Sequence, residues 1–182
     1  IDVYGCIDGD GDGYSDAGDA FPTNPLEWVN SDSDIYGDNI DDCPTVTGTS
    51  TIDLVGCVDS DGDGYSDTGD LFPVDPNDWN DTDSDGVGDN ADVWPNDNST
   101  ANDTDNDGFP DSWMLGFTNS TVNPNLVLDD CPNETGNSTL GNYSGCIDTD
   151  GDGWADVEED FDNDATRQFD DDNDGLDDVL DA

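Results

Sequence analysis

Asp59, Asp61, Asp63, Asp67 and Asp70 stand at positions 1, 3, 5, 9 and 12 of a twelve-residue stretch with no basic residue in it. Alone, such a segment resists order. Carboxylates about 4 Å apart repel by about 1 kcal/mol in a water-like dielectric, and by more when partly buried. The glycines add chain entropy that opposes folding. A hard dication reverses the balance. Calcium takes about six to eight oxygens, and alternating carboxylates at 1, 3 and 5 can converge on one ion while glycine at 6 permits the sharp turn. The residue at 7 then offers its backbone carbonyl, and positions 9 and 12 complete the cage. Magnesium keeps more of its water and demands a stricter octahedron, so calcium suits this ligand set better.

The spacing recurs. Loops begin at Asp8, Asn30, Asp59, Asp81, Asp103, Asp148 and Asp170, and the steps 8 to 30, 59 to 81, 81 to 103 and 148 to 170 are all 22 residues. The expected ligands of the first three loops are Asp8, Asp10, Asp12, Tyr14, Asp16 and Asp19; Asn30, Asp32, Asp34, Tyr36, Asp38 and Asp41; and Asp59, Asp61, Asp63, Tyr65, Asp67 and Asp70. The fourth and fifth take Asp81, Asp83, Asp85, Val87, Asp89 and Asp92, then Asp103, Asp105, Asp107, Phe109 and Asp111. The last two take Asp148, Asp150, Asp152, Trp154, Asp156 and Glu159, then Asp170, Asp172, Asp174, Leu176, Asp178 and Asp181. Position 7 varies freely because only its carbonyl is used. The second loop departs at Asn30 and at Ile35, where glycine is expected. The fifth ends on Met114 and lacks its last carboxylate. Residues 118–129 read as a decayed eighth copy, with Thr118, Ser120 and Val122 where ligands should be, and no ion is expected there. A full repeat carries five carboxylates, so one calcium leaves a charge of −3 and two leave −1; about one to two ions per repeat are expected.

Composition agrees with a chelating role. Formal net charge is −48, Arg167 is the only basic side chain, and lysine and histidine are absent. Such a chain with 31% hydrophobic residues should be disordered unless something else supplies positive charge. Glu27, Glu134, Glu158 and Glu159 are the only glutamates, so 45 of the 49 acids are aspartate. Simple solvation could use both acids, whereas the short arm of aspartate suits tight loops and oxygen cages. Nucleic acid and anionic membrane surfaces are excluded as partners for want of cations. No apolar run approaches the length of a membrane span, so no membrane insertion is expected.

The connectors have their own pattern. Phe21, Pro22, Pro25 and Trp28 parallel Phe72, Pro73, Pro76 and Trp79, and Trp94, Pro95 and Phe161 echo the first half. These aromatics read as local caps on neighbouring ion loops, or alternatively as a stacking platform for a ligand. Two longer inserts, Cys43 to Cys57 and Cys131 to Cys146, both open on Asp-Asp-Cys-Pro and run straight into an ion loop. That recurrence argues for disulfides 43–57 and 131–146, which help a chain without a real core. Free thiols are the alternative; a zinc site would call for histidine or a Cys-x-x-Cys pair. Cys6 sits in the second half of this motif. Its partner is expected upstream of Ile1 or on a neighbouring molecule. Residues 1–182 thus read as one continuous array, a segment of a longer one.

The pattern resembles thrombospondin type 3 repeats with Asp-Cys-Pro inserts, over nearly the whole chain. Similar arrays occur in bacterial and archaeal surface proteins. The resemblance implies a calcium- and disulfide-organised chain with little secondary structure, found outside cells or at the cell surface. An EF-hand or dockerin would need amphipathic helices beside the loops, and no 3.6-residue apolar period is present. The fold class expected is mostly irregular coil, a small repeat array with few short helical turns and no large hydrophobic core. Only residues 154–159 and 176–180 could begin such turns.

Sequons at Asn80, Asn98, Asn102, Asn119, Asn133, Asn137 and Asn142 all fall between residues 80 and 142. N-linked glycans are expected there, against the alternative of accident in an Asn- and Thr-rich chain. With no histidine or lysine and the acids committed to ion loops, no enzyme is expected. A stalk, spacer or fibre shaft, joined to copies of itself or to further repeats, is the leading expectation. A calcium-dependent adhesion module that binds a receptor or glycan is the alternative. The stretch 113–117, with Trp113, Leu115 and Phe117, is then either a small core or its contact patch. A disordered spacer with weak ion binding is the third reading.

Overall fold

The computed structural model describes residues 5–178. Among them there is no helix and no strand; the chain runs through bends and turns, as expected for a mostly irregular array. It divides into two compact units, Ile1–Asn80 and Asp81–Ala182. The first holds the loops that begin at residues 8, 30 and 59. The second holds those at 81, 103, 148 and 170.

Aspartate side chains share the ordering of the backbone with its own carbonyls. In a helix or sheet, N–H groups are satisfied by carbonyls. Here many are satisfied by side-chain carboxylates of nearby residues, which is why aspartate competes so well against regular structure. In each loop the N–H at position 7 donates to the carboxylate at position 5, from Tyr14 to Asp12 at 2.8 Å and from Tyr65 to Asp63 at 2.8 Å. The N–H at position 2 donates to position 9, from Gly9 to Asp16 at 2.7 Å and from Ser60 to Asp67 at 2.8 Å. One backbone bond then closes a single helical turn from position 12 to position 8, as in Asp41 to Gly37, Asp70 to Ser66, Asp92 to Gly88 and Glu159 to Ala155. The short turn expected at 154–159 is therefore one instance of a general feature. The one expected at 176–180 extends beyond the described residues.

Two left-handed residues bend each loop except the second, which has one. Position 6 has positive φ wherever it is glycine, as in Gly13, Gly64, Gly86, Gly108, Gly153 and Gly175. Position 4 is left-handed as well, and there Ser33 (71°), Ser84 (67°), Asn106 (63°) and Asn173 (60°) replace glycine. Small polar side chains bear that conformation better than branched ones.

The apolar core is correspondingly thin. Its buried hydrophobic residues are Cys57, Ala101, Cys146 and Ala155. The aromatics pack locally on the loops, as the capping reading expects. Tyr14 stacks on Trp28 with centroids 5.3 Å apart, Tyr65 on Trp79 at 5.2 Å, and Trp154 meets Phe169 edge-on at 4.9 Å. The Arg167 guanidinium lies 3.7 Å over the Phe161 ring.

Both expected disulfides are formed, Cys43–Cys57 and Cys131–Cys146, each with Cα atoms 5.1 Å apart. Cys6 is an exposed free thiol. Each insert carries a second motif, Thr-Gly-x-Ser-Thr, at 47–51 and 135–139. Ser50 and Ser138 are fully buried, and their hydroxyls accept the N–H of Cys57 and Cys146 at 2.9 Å. A Cβ on Gly48 would lie 2.0 Å from the Cys57 carbonyl, and one on Gly136 would lie 2.2 Å from that of Cys146, so only glycine fits. The insert then spans two acidic loops. Thr47 and Thr135 donate to the carbonyls of Asp32 and Asp105 in the loop before, and the N–H groups of Thr51 and Thr139 donate to Gly64 and Gly153 in the loop after.

Candidate metal centres

Five triads place one carboxylate oxygen from each member within 4.8 Å of the others: Asp8, Asp10 and Asp12; Asp32, Asp34 and Asp41; Asp59, Asp61 and Asp63; Asp81, Asp83 and Asp85; Asp103, Asp105 and Asp107. Two further groups share this geometry. The second loop draws on positions 3, 5 and 12 because Asn30 removes the carboxylate at position 1.

The expected ligand positions do different work. Position 1 braces the loop: Asp59 accepts the N–H of Gly62 on Oδ1 at 2.7 Å and that of Gly64 on Oδ2 at 3.1 Å. Asp8, Asp81, Asp103 and Asp148 repeat this with their own positions 4 and 6. The two departures in the second loop compensate each other. Ile35 does not adopt positive φ, and the bond that a glycine N–H would give is replaced by Asn30 Nδ2 donating to the Asp34 carbonyl at 2.9 Å.

Position 9 faces position 2. Asp38, Asp67, Asp111 and Asp156 each accept a backbone N–H on one oxygen and a Ser or Thr hydroxyl on the other. These carboxylates tie the start of the loop to its end, so the structure gives them a closing role that the ligand pattern alone does not reveal.

Positions 3, 5 and 12 are the ones aimed inward. Oδ2 of Asp10, Asp32, Asp61, Asp83 and Asp150 at position 3 is buried without a hydrogen-bond partner. So is Oδ2 of Asp12, Asp63 and Asp85 at position 5, and of Asp41 at position 12. Asp105 has both oxygens in this state, and Glu159 has both of its own. Among the described residues no backbone N–H donates to the carbonyls of Tyr14, Tyr36, Tyr65, Val87, Phe109 or Trp154 at position 7. Buried, unpartnered carboxylate oxygens beside other carboxylates are costly unless a cation meets them. The residues therefore fit a divalent ion: positions 3, 5 and 12 would supply carboxylate oxygens, and position 7 a carbonyl.

The electrostatics agree. Burial, with the neighbouring aspartates adding to it, raises the carboxyls of Asp10, Asp83, Asp105 and Asp150. At position 12, Asp41 and Asp70 are raised in the same way. Asp92 is pushed to about 6 by burial first and then by Asp85, Asp83 and Asp81. Glu159 is pushed to about 7 by burial and by Asp150, Asp152, Asp148 and Asp156. Two other acids go the opposite way. Burial would raise Asp53, but hydrogen bonds from Ser66 and nearby backbone outweigh it and hold it low. Bonds from Ser120, Ser99 and Thr121 do the same for Asp97.

The fifth loop requires a correction. Residues 118–129 do not form an eighth loop. Asp129 N–H donates to the carbonyl of Pro110, position 8 of the fifth loop, at 3.0 Å. Asp129 Oδ1 accepts the N–H of Cys131 at 2.7 Å, as Asp19, Asp41, Asp70 and Asp92 accept from Phe21, Cys43, Phe72 and Trp94. Asp129 thus occupies position 12 of the loop that starts at Asp103, and residues 112–128 stand where other loops have two residues, an insertion of 15. Met114, the numerical twelfth residue, instead donates its N–H to Ser99. Removing the 15 extra residues turns the step from 103 to 148 into 30, close to the 29 from 30 to 59. The usable signal was Asp129-Asp130-Cys131-Pro132, which copies Asp41-Asp42-Cys43-Pro44, where the first aspartate is a twelfth position.

In the seventh loop, Asp170 accepts the N–H groups of Asp174 and Gly175, and Asp174 accepts that of Leu176. Asp172 accepts the Asp174 N–H and Asp178 that of Asp171; Asp181 lies outside the described residues. Of the sequon asparagines, Asn80, Asn102, Asn119, Asn133, Asn137 and Asn142 are exposed and Asn98 is half-buried. Several sequon hydroxyls already have structural work. Thr104 closes the fifth loop onto Asp111, Thr135 bonds Asp105, and Thr100 is fully buried with its hydroxyl on the Ser112 carbonyl. No helix of the described residues is long and apolar enough to cross a membrane.

Neither a scan of protein-family models nor a search of curated proteins returns a match for this chain.

Proposed function

We propose that the chain is a calcium-stabilised extracellular structural protein of thrombospondin type 3 character, serving as a stalk, spacer or fibre shaft. The observation that carries this is the recurrence of buried, unpartnered carboxylate oxygens at positions 3, 5 and 12 in loop after loop. One such centre would be a local site. A chain built of them, with four buried hydrophobic residues among those described, would have ions where other proteins have a core. Folding would then be coupled to metal, as in other small domains whose ligands must be gathered from an unfolded chain. Millimolar calcium outside cells suffices for modules of the weaker class, and two disulfides suit an oxidising compartment. With seven loops, one ion each would offset 14 of the 48 net charges and two each would offset 28. Exposed sequon asparagines would carry glycans that cover a thin polypeptide, and copies of the chain or further repeats would extend it. No catalytic role is part of this reading.

The adhesion alternative has one observation in its favour. Leu115, within the insertion in the fifth loop, is fully exposed, so a receptor or glycan could touch it.

Proteolysis separates these readings. In millimolar calcium the chain should resist a broad-specificity protease, become labile in chelator, and regain resistance when calcium returns. Equal lability in both would remove the structural reading. Calcium-dependent retention on a glycan or receptor surface that Leu115→Ser abolishes would favour adhesion.

A further inference from the structure

The insertion at residues 112–128 leaves the fifth loop after Asp111 at position 9 and returns at Asp129. We infer that the fifth metal site is discontinuous in sequence, completed by Asp129 across this insertion, and that its ion is the clasp that holds the insertion closed. The inference rests on the calcium reading above and adds a ligand that the repeat spacing misassigns.

Three features carry it. Asp129 is more than nine-tenths buried, and its Oδ2 has no hydrogen-bond partner. Its Oδ1 is pinned by the Cys131 N–H and its own N–H by the Pro110 carbonyl, which leaves Oδ2 as the free atom. Asp105, at position 3 of the same loop, has both oxygens buried and unpartnered. Buried carboxylate oxygens without a protein donor, on two aspartates of one loop, are what a shared cation resolves.

The insertion is otherwise held by polar bonds to residues 97–100. Asp97 accepts the hydroxyls of Ser120 and Thr121, Thr100 donates to the Ser112 carbonyl, and Met114 N–H donates to Ser99. Val122 lines a groove with Val93, Trp94 and Pro95. With the ion in place both ends of the excursion are fixed, as a disulfide would fix them. Without it, Asp105, Asp107 and Asp129 repel and the return strand is released.

The test counts calcium ions by native mass spectrometry and follows amide hydrogen exchange over 112–128. Asp129→Asn keeps the acceptor for Cys131 but removes the charge. It should bind one ion fewer than the unaltered chain and lose protection at Met114, Thr121 and Leu126, while the other loops stay protected. Asp129→Glu should restore both readouts, since Glu159 fills this position in the sixth loop. Asp107→Asn should also lose one ion, and Met114→Ala none. If Asp107→Asn loses an ion while Asp129→Asn keeps the full count and its protection, Asp129 is a capping residue only and the clasp is wrong. If the unaltered chain binds no calcium, the calcium reading itself fails, and the clasp with it.

Discussion

A buried carboxylate without a donor makes pH and metal act in opposite directions on this chain. Asp92 and Asp129 sit at about 6 and Glu159 at about 7, each raised first by burial and then by its aspartate neighbours. A raised carboxyl favours the folded form below its ordinary range, and that contribution is lost as pH rises through the raised value. In chelator, therefore, the native arrangement should be least stable at neutral pH and recover as pH falls from about 7 toward 4. With calcium the order reverses, because protons compete for the ligand oxygens and ions should be released as pH falls below about 7. Near-ultraviolet circular dichroism across pH, with calcium and with chelator, should give two curves of opposite slope. Parallel curves would mean that these acids do not face a cation. Glu159 gives a sharper form of the same argument. Aspartates at position 12 spend one oxygen on the backbone, whereas both of its oxygens are unpartnered. Glu159→Gln should remove one ion from the calcium count and leave the other sites unchanged.

Between loops the disulfide inserts act as couplers, and their glycines show why spacing alone underdescribes them. Gly62, at position 4, has positive φ and open space around its Cβ direction, while serine and asparagine stand at that position in other loops. Gly62→Asn should cost less than about 1 kcal/mol. Gly48→Ala drives a methyl into the Cys57 carbonyl and should cost at least about 2 kcal/mol. Thermal unfolding in calcium distinguishes the two, and equal midpoints would contradict the insert packing. The clustering of the acids, the disulfide pairing and the local packing of aromatics were legible in the sequence because each depends on residue type at a fixed offset. The closing role of Asp67 and its equivalents was not, since a carboxylate does not declare which way it points. Asp129 was hidden for another reason. Counting from Asp103 assumes an uninterrupted loop, and only the Asp-Asp-Cys-Pro landmark marks where the loop resumes.

At the scale of the whole chain, 48 net negative charges must be met by something other than the single arginine. The described residues satisfy many of their backbone N–H groups with aspartate and leave the inward carboxylate oxygens over, so the order within each unit is expected to depend on cations. Small-angle scattering of the chain in millimolar calcium and then in excess chelator tests this most directly. An unfolded chain of this length has a radius of gyration of about 45 Å, and self-repulsion would raise it. In calcium a defined particle well below the chelator value is expected, and an expanded coil at or above about 45 Å once calcium is withdrawn. Coincident profiles would contradict this expectation, and the aspartate loops would then be solvated spacer rather than ion cages.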